Sequence, residues 1–379
     1  MPYFNYEYYL KTSKFVYSNI KLILVVIDTL DIKITKTATS RIDEVDFSNL
    51  SFGKTFSDHM FVADYEGGEW KNFQIVPYGE MSFSPAMSVL HYGQAFFEGL
   101  KAYKYDDGTV ALFRPYKNAD RFNKSAARLC SPELPRDIFV QSIAALVDLD
   151  KAWIPETPGD SLYIRPFMFS TDPYLGVSPS KTYKFIVLTG PVGSYFSKPL
   201  NVKIETKYSR SSEGGFGFAK AAGNYAGSLL PAQEALKEGY DQLIWTDGKD
   251  HAYIEELGAA NVIFVIDGVV VTPSTRDTIL EGITRDTILT LARHWGMPVE
   301  ERRVSVKEVI ETLKEGKMTE AFGVGTAATI TPIASISLNG EKYTLPEQSP
   351  ADFSNKALKT LNEIRYGHKA DEFDWNYTV

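Results

Sequence analysis

Strand-length apolar runs, most of them closed by glycine or an Asp-Gly pair, recur along this 379-residue chain and restrict it to folds built on sheets. From residue 51, F-G-K-T-F, H-M-F-V-A-D-Y and W-K-N-F-Q-I-V-P alternate as half-buried strands do. Asp107-Gly108 is the favoured signal for a two-residue hairpin, so residues 101–105 should pair with 110–113 and leave Arg114 at a strand end. Ala119, Phe122, Ala126 and Leu129 then recur at helical spacing, and residues 138–153 repeat the pattern. Strands resume at S-L-Y-I-R-P-F-M-F and Y-K-F-I-V-L-T-G-P-V, an α+β mixture. Gly, Ser, Pro and an aromatic pair at 190–199 mark a boundary. The expected division is an N-terminal α+β domain at 37–190, an interdomain loop at 191–200 and a C-terminal domain at 201–379. Residues 1–36 read as an extension whose apolar core, I-K-L-I-L-V-V-I, is too short to span a membrane and leaves room for one short strand.

Beyond Lys220 the pattern predicts a helix to about Glu238, stopped by Gly239, and then strands at D-Q-L-I-W-T-D, A-Y-I-E-E-L and N-V-I-F-V-I-D-G-V-V-V. Ile288, Leu291, Ala292 and Trp295 share one helical face, with Thr284 where an N-cap belongs and a glycine just before it. Such a start exposes free backbone N–H groups and suits an anion such as phosphate, although a plain capped helix has the same signature. Ser305 and Glu308 fit a capping box for a helix ending near Gly316. The run A-F-G-V-G-T-A-A-T-I-T-P-I predicts a strand broken by a glycine turn at Gly323 and Gly325, and a last helix is expected over 353–366.

A net charge of −8 argues against nucleic acid or an anionic membrane as partner and makes small-molecule chemistry the default. The single cysteine, Cys130, excludes an internal disulfide; it reads as a small core residue and fits a reducing, cytoplasmic setting. The five histidines lack metal-ligand spacing, so no metal is expected.

The chemistry gathers on S-E-G-G-F-G-F-A-K-A-A-G-N-Y, residues 212–225, where Lys220 stands among glycine, alanine and phenylalanine. An ammonium against small apolar neighbours has its charged form disfavoured, and a neutral amine is a nucleophile. Taken alone, the stretch equally fits a Gly-rich surface loop. It nearly spells a phosphate-binding loop but fails at Ala219 and Ala221. The partner is Glu255-Glu256, at the end of a strand expected to be partly buried. Pyridoxal 5′-phosphate needs an amine for its aldehyde, an acid at its ring nitrogen, an anion site and a donor at its phenolic oxygen. Lys220, Glu256, the helix start at Ile283 and Thr284 with Arg114, and Tyr225 are candidates for the four.

K-A-A-G-N-Y followed by E-L-G-A-A-N, together with F-F-E-G-L-K, L-F-R-P, Y-I-R-P, L-G-V-S, V-G-S-Y-F and G-V-G-T-A, resembles the branched-chain amino acid aminotransferases, pyridoxal-phosphate enzymes of fold type IV. The likeness runs from about Phe52 to Gly367 in the right order. It implies two domains, a smaller N-terminal α/β sandwich and a larger C-terminal pseudo-barrel that binds the cofactor. It implies Lys220 as cofactor anchor and proton shuttle, with Arg114, Tyr225, Glu256, Ile283, Thr284 and Thr326 on the cofactor. For the substrate it implies Thr326 and Ala327 at the α-carboxylate. Phe52, Tyr92, Phe97, Tyr163, Tyr195 and Val177 are implied around the side chain, Val177 from a second subunit of a homodimer. Leucine, isoleucine or valine must alternate with glutamate and 2-oxoglutarate, and Arg165 with Lys101 would meet the distal carboxylate. D-amino acid aminotransferases and aminodeoxychorismate lyases share the lysine and glutamate; Y-I-R-P and V-G-S-Y-F favour the branched-chain reading. Two departures stand out: Ala259 and Ala260 where some members carry threonine, and Ala328 and Thr331 where mammalian members have a redox Cys-x-x-Cys.

Overall fold

The computed structural model describes residues 30–193, 198–327 and 329–379; Tyr195, Ala328 and most of the N-terminal extension lie outside the described residues. Within the described part of the extension, Lys33–Ile34 pairs parallel with Glu69–Pro77, and Leu30 and Ile32 pack on the first core.

Nine described strands form the first sheet. They run Lys33–Ile34, Glu69–Pro77, His59–Glu66, Tyr183–Val192, Ser161–Ser170, Leu100–Lys104, Val110–Phe113 and Asn376–Thr378, with Ala95–Phe97 also on Ser161–Ser170. Side chains alternate across a strand, so Phe61, Ala63, Phe185 and Val187 face the helices Pro115–Arg128 and Arg136–Leu149. Met60, Val62 and Ile186, one residue out of step, pack with Phe169 and Met87 in a separate cluster.

The second sheet closes on itself. Leu200–Ile204, Gln242–Thr246, Tyr253–Leu257, Ala260–Ile266, Met318–Gly325 and Thr329–Leu338 pair in a ring, making a six-stranded barrel. Helices Ile283–His294, Val306–Lys314 and Phe353–Arg365 pack on its strands. The two halves are joined by a shared apolar cluster in which Tyr103 and Phe113 of the first sheet meet Ile263, Ile288, Leu361 and Trp375. The chain's last strand returns to the first sheet, Asn376 opposite Phe113.

Several local expectations change. F-G-K-T-F is a turn, because Gly53 takes φ +73° and the chain must bend before Ser57 donates to Thr189 O at 2.8 Å. The Asp107-Gly108 hairpin forms with a three-residue loop: Tyr105 N–H donates to Thr109 O at 2.8 Å and Gly108 takes φ +87°. Asp267-Gly268 makes the two-residue hairpin instead, with Ile266 opposite Val269. The helix after Lys220 is two, Ala222–Ala226 and Leu229–Lys237, parted at the weak helix formers Gly227 and Ser228. Gly323 lies within a barrel strand and the turn falls at Thr326 and Ala327; a Cβ at 323 would come 2.6 Å from Leu257 Cδ2, so a larger residue there would have to displace that side chain. Cys130 is exposed, at φ +51° in the turn after its helix.

Candidate active site

A cavity of about 600 Å³ opens where the first sheet meets the barrel. Lys220 lines it. Its backbone is clamped from two sides: Phe97 N–H donates to Lys220 O at 3.1 Å, and Lys220 N–H donates to Ser125 Oγ at 2.9 Å. The half-buried side chain sends Nζ to Tyr225 Oη at 3.0 Å and lies over the rings of Phe97 and Tyr225. Tyr225 itself comes from the short helix Ala222–Ala226 that begins two residues after the lysine.

On the same cavity, Glu256 projects from Tyr253–Leu257 and is 2% exposed. Its Oε1 accepts from Leu280 N–H at 3.0 Å and from Asn261 Nδ2 at 3.2 Å, and Arg210 Nε lies 2.7 Å from Oε2. Burial pushes this carboxyl above the usual carboxylate range, and the Arg210 guanidinium pulls the other way. Glu255 is also buried, and its Oε2 has no partner among the described residues. Burial raises it to about 7.

Asn261 also donates to Leu280 O at 3.0 Å, which ties Glu256 to the segment entering the helix Ile283–His294. Gly282, extended at φ −68° and ψ 125°, is the N-cap, so Thr284 is the second helical residue. The glycine is required there, since a Cβ would overlap Asn261 Oδ1. The first N–H groups of this helix have no carbonyl a turn behind them, and Gly282, Ile283 and Thr284 all line the cavity.

Arg121 stands at this end of the cavity wall. A guanidinium carries five N–H donors. Nε and Nη2 of Arg121 bind the Glu98 carboxylate, both at 2.7 Å, and Nη1 donates to Glu281 O at 2.9 Å. One N–H on each terminal nitrogen is left over. Arg114 is not on this cavity. It is buried at φ +53°, donating to Thr287 Oγ1 at 2.7 Å and Asp286 Oδ2 at 2.6 Å, and its guanidinium covers the Trp375 ring. It braces the helix that Ile283 begins.

Thr326 and Ala327 line the cavity at the turn between two barrel strands. Behind them, buried Lys101 donates to Ala327 O at 3.3 Å and is lowered by burial to about 7; it is not on the wall. Phe52, Phe97, Tyr163 and Arg165 form the remaining side, Phe52 and Tyr163 edge to face at 4.9 Å. Arg165 stacks 4.6 Å from the Phe97 ring centre and donates to Tyr163 Oη at 3.1 Å. Gly99 leaves room for the Tyr163 hydroxyl, which a Cβ there would overlap. Tyr92 and Val177 lie away from this cavity at 45% and 86% exposure, and Tyr92 Oη donates to Leu175 O. Tyr195 falls outside the described residues.

Residues that sequence reasoning passed over include Arg121, Glu98, Arg210 and Asn261. A signal existed for the first: Asn118, Arg121 and Ser125 form a buried polar stripe, spaced three and four, beside the apolar face of Pro115–Arg128.

Barrel, layered sheet and shared cavity are the architecture of the two-domain, fold-type IV aminotransferases. The profile of the amino-transferase class IV family matches residues 95–336. Branched-chain-amino-acid transaminase 1 of Bacillus subtilis (strain 168) is 44% identical over 342 residues, 89% of this chain and 96% of its own. Branched-chain-amino-acid aminotransferase 2 of the same organism is 43% identical over 355 residues, 93% and 97% of the two chains. Among solved structures, the Escherichia coli branched-chain amino acid aminotransferase superposes with a TM-score of 0.70 at 27% identity, covering 84% of this chain and 98% of that one. The branched-chain amino acid aminotransferase from Thermobaculum terrenum, in its PLP-bound holo form, gives 0.69 at 25% identity, covering 86% and 99%. The chain belongs to the branched-chain amino acid aminotransferase family.

Proposed function

We propose that this enzyme moves the amino group of L-leucine, L-isoleucine and L-valine to 2-oxoglutarate, reversibly and by a ping-pong route, with pyridoxal 5′-phosphate held in the cavity described above. The observation that carries the reading is the meeting of Lys220, Glu256, Arg121 and the N–H groups at Ile283 on one wall system of about 600 Å³. The donor set fits the group: spare guanidinium N–H and helix-start N–H for a phosphate, a buried acid for a ring nitrogen, an amine for an aldehyde.

Once bound, the cofactor supplies an electrophilic carbon and an electron-withdrawing ring. Lys220 Nζ would hold its aldehyde and would serve as the base at the substrate Cα, the Tyr225 hydroxyl at 3.0 Å orienting that nitrogen. Glu256 would face the ring nitrogen, and the Arg210 guanidinium 2.7 Å away opposes the burial that disfavours its charged form. Arg121, Ile283 and Thr284, with Thr326, take the phosphate; Arg114 supports the helix from behind. Backbone N–H groups at Thr326 and Ala327 receive the α-carboxylate. Phe52, Phe97 and Tyr163 give an apolar side-chain pocket, and the Arg165 guanidinium answers the distal carboxylate of glutamate, with Lys101 bracing the turn from behind through its bond to Ala327 O.

Tyr92, Leu175 and Val177 are exposed, and Tyr92 Oη donates to Leu175 O. In a homodimer these residues complete the pocket of the second subunit, which is the arrangement we favour, in the cytoplasm. Among the described residues no helix is long and apolar enough to cross a membrane. D-amino acid transfer and lyase chemistry are the rivals that share Lys220 and Glu256. Purified enzyme with added pyridoxal 5′-phosphate should transfer from L-leucine to 2-oxoglutarate and leave D-alanine untouched; the reverse preference would defeat the assignment.

A further inference from the structure

Residues 96–99 touch both ends of the cofactor site. Ala221 bridges Phe96, and Phe97 N–H holds the Lys220 carbonyl at 3.1 Å. One residue on, Glu98 is 0% exposed and grips Arg121 with both carboxylate oxygens, while Asn118 Nδ2 at 2.8 Å and Gly99 N–H at 3.2 Å hold Glu98 Oε2 in turn. A second link runs through the helix: Ser125 Oγ accepts from Lys220 N–H and donates to Arg121 O at 3.1 Å. The amine and the guanidinium are therefore spaced by one rigid strand and one helical turn.

We infer that Glu98 is a positioning residue that sets the phosphate preference of the site. A buried bidentate pair fixes the plane of a guanidinium. With Nε and one N–H of Nη2 bound to Glu98, and one N–H of Nη1 bound to Glu281 O, rotation about the terminal bonds of Arg121 is blocked. One N–H on each terminal nitrogen is then left for a ligand, and Arg121 lines the cavity together with Ile283 and Thr284. Glu98 itself does not line the cavity. Without it, Arg121 keeps its charge and loses its aim, so the site should still take the pyridine ring and lose its grip on the phosphate. This inference rests on the pyridoxal-phosphate reading above.

The test compares equilibrium binding of pyridoxal 5′-phosphate with that of pyridoxal to cofactor-stripped protein, followed by absorbance and fluorescence, in wild type, Glu98→Gln and Glu98→Asp. Wild type should bind the phosphorylated form far more tightly; failure there would sink the cofactor reading itself. Glu98→Gln should lose about tenfold or more for pyridoxal 5′-phosphate, the scale of a lost charge-assisted pair, with pyridoxal affinity within about twofold of wild type. Glu98→Asp keeps the charge but is too short to span both nitrogens, and should show a smaller loss of the same ratio should the glutamine variant not fold. An unchanged ratio in a folded variant, or equal losses for both ligands, overturns the role and leaves Glu98 as a packing pair only.

Discussion

At the scale of single residues, two carboxyls adjacent in sequence face opposite sides of one strand and meet different fates. Glu256 has Arg210, Asn261 and Leu280 N–H as partners, whereas Glu255 Oε2 has none among the described residues. Glu256→Gln should keep the cofactor bound yet slow Cα proton removal by orders of magnitude, visible in single-turnover kinetics with Cα-deuterated leucine; unchanged rates would remove its assigned part. Lys220→Ala should end turnover and abolish the visible absorbance of bound cofactor. Glu255 gives a pH signature. Its carboxyl titrates near 4.5 when unfolded and about 7 when folded, so the native state holds the extra proton between those values and stability falls as pH rises through them. Glu255→Gln should flatten that fall, by no more than about 3 kcal/mol, in urea unfolding at pH 5 and pH 8. Equal slopes in the two proteins would show that the group titrates normally.

Elements set the pocket through close approaches that composition does not announce. Gly190 lies in Tyr183–Val192 opposite Tyr163, and a Cβ on it would overlap the carbonyl oxygen of Thr55. That oxygen belongs to the turn that brings Phe52 to the cavity. Gly190→Ala should therefore cost about 1–3 kcal/mol in denaturant unfolding, as overpacking against backbone does, and raise KM for leucine more than it lowers kcat. A stable variant with unaltered KM would mean that the turn moves freely. The signal at Asp107-Gly108 was legible, and the hairpin is there; its third loop residue was not, because loop length depends on which pair closes the ladder. Glycines misled at 323, where the cause is Leu257 packed against the strand.

For the whole molecule, the exposed apolar side chains are the informative feature. Tyr174, Leu175 and Val177 on one loop, and Leu229, Leu230 and Leu236 on the helix after Tyr225, are all more than half exposed. Apolar surface of that kind is seldom left to water. Sedimentation should give twice the mass of the chain, and Val177→Asp should lower kcat/KM for leucine at least tenfold while the protein stays folded, if this side chain enters the partner's pocket. A fully active monomer would refute the arrangement. The six-strand closure and the return of Asn376–Thr378 to the first sheet join segments far apart in sequence.

Local sequence determined most of the strands and helices, the lysine with its tyrosine five residues on, and the acid at the end of its strand, because periodicity and short spacing act within a few residues. It determined the family as well, through ordered motifs. Tertiary structure alone decided that Arg121 rather than Arg114 faces the cavity, that Glu98 fixes it, and that Arg210 reaches Glu256. Each of these depends on which side of a helix or loop turns inward, and that is set by packing between distant parts of the chain.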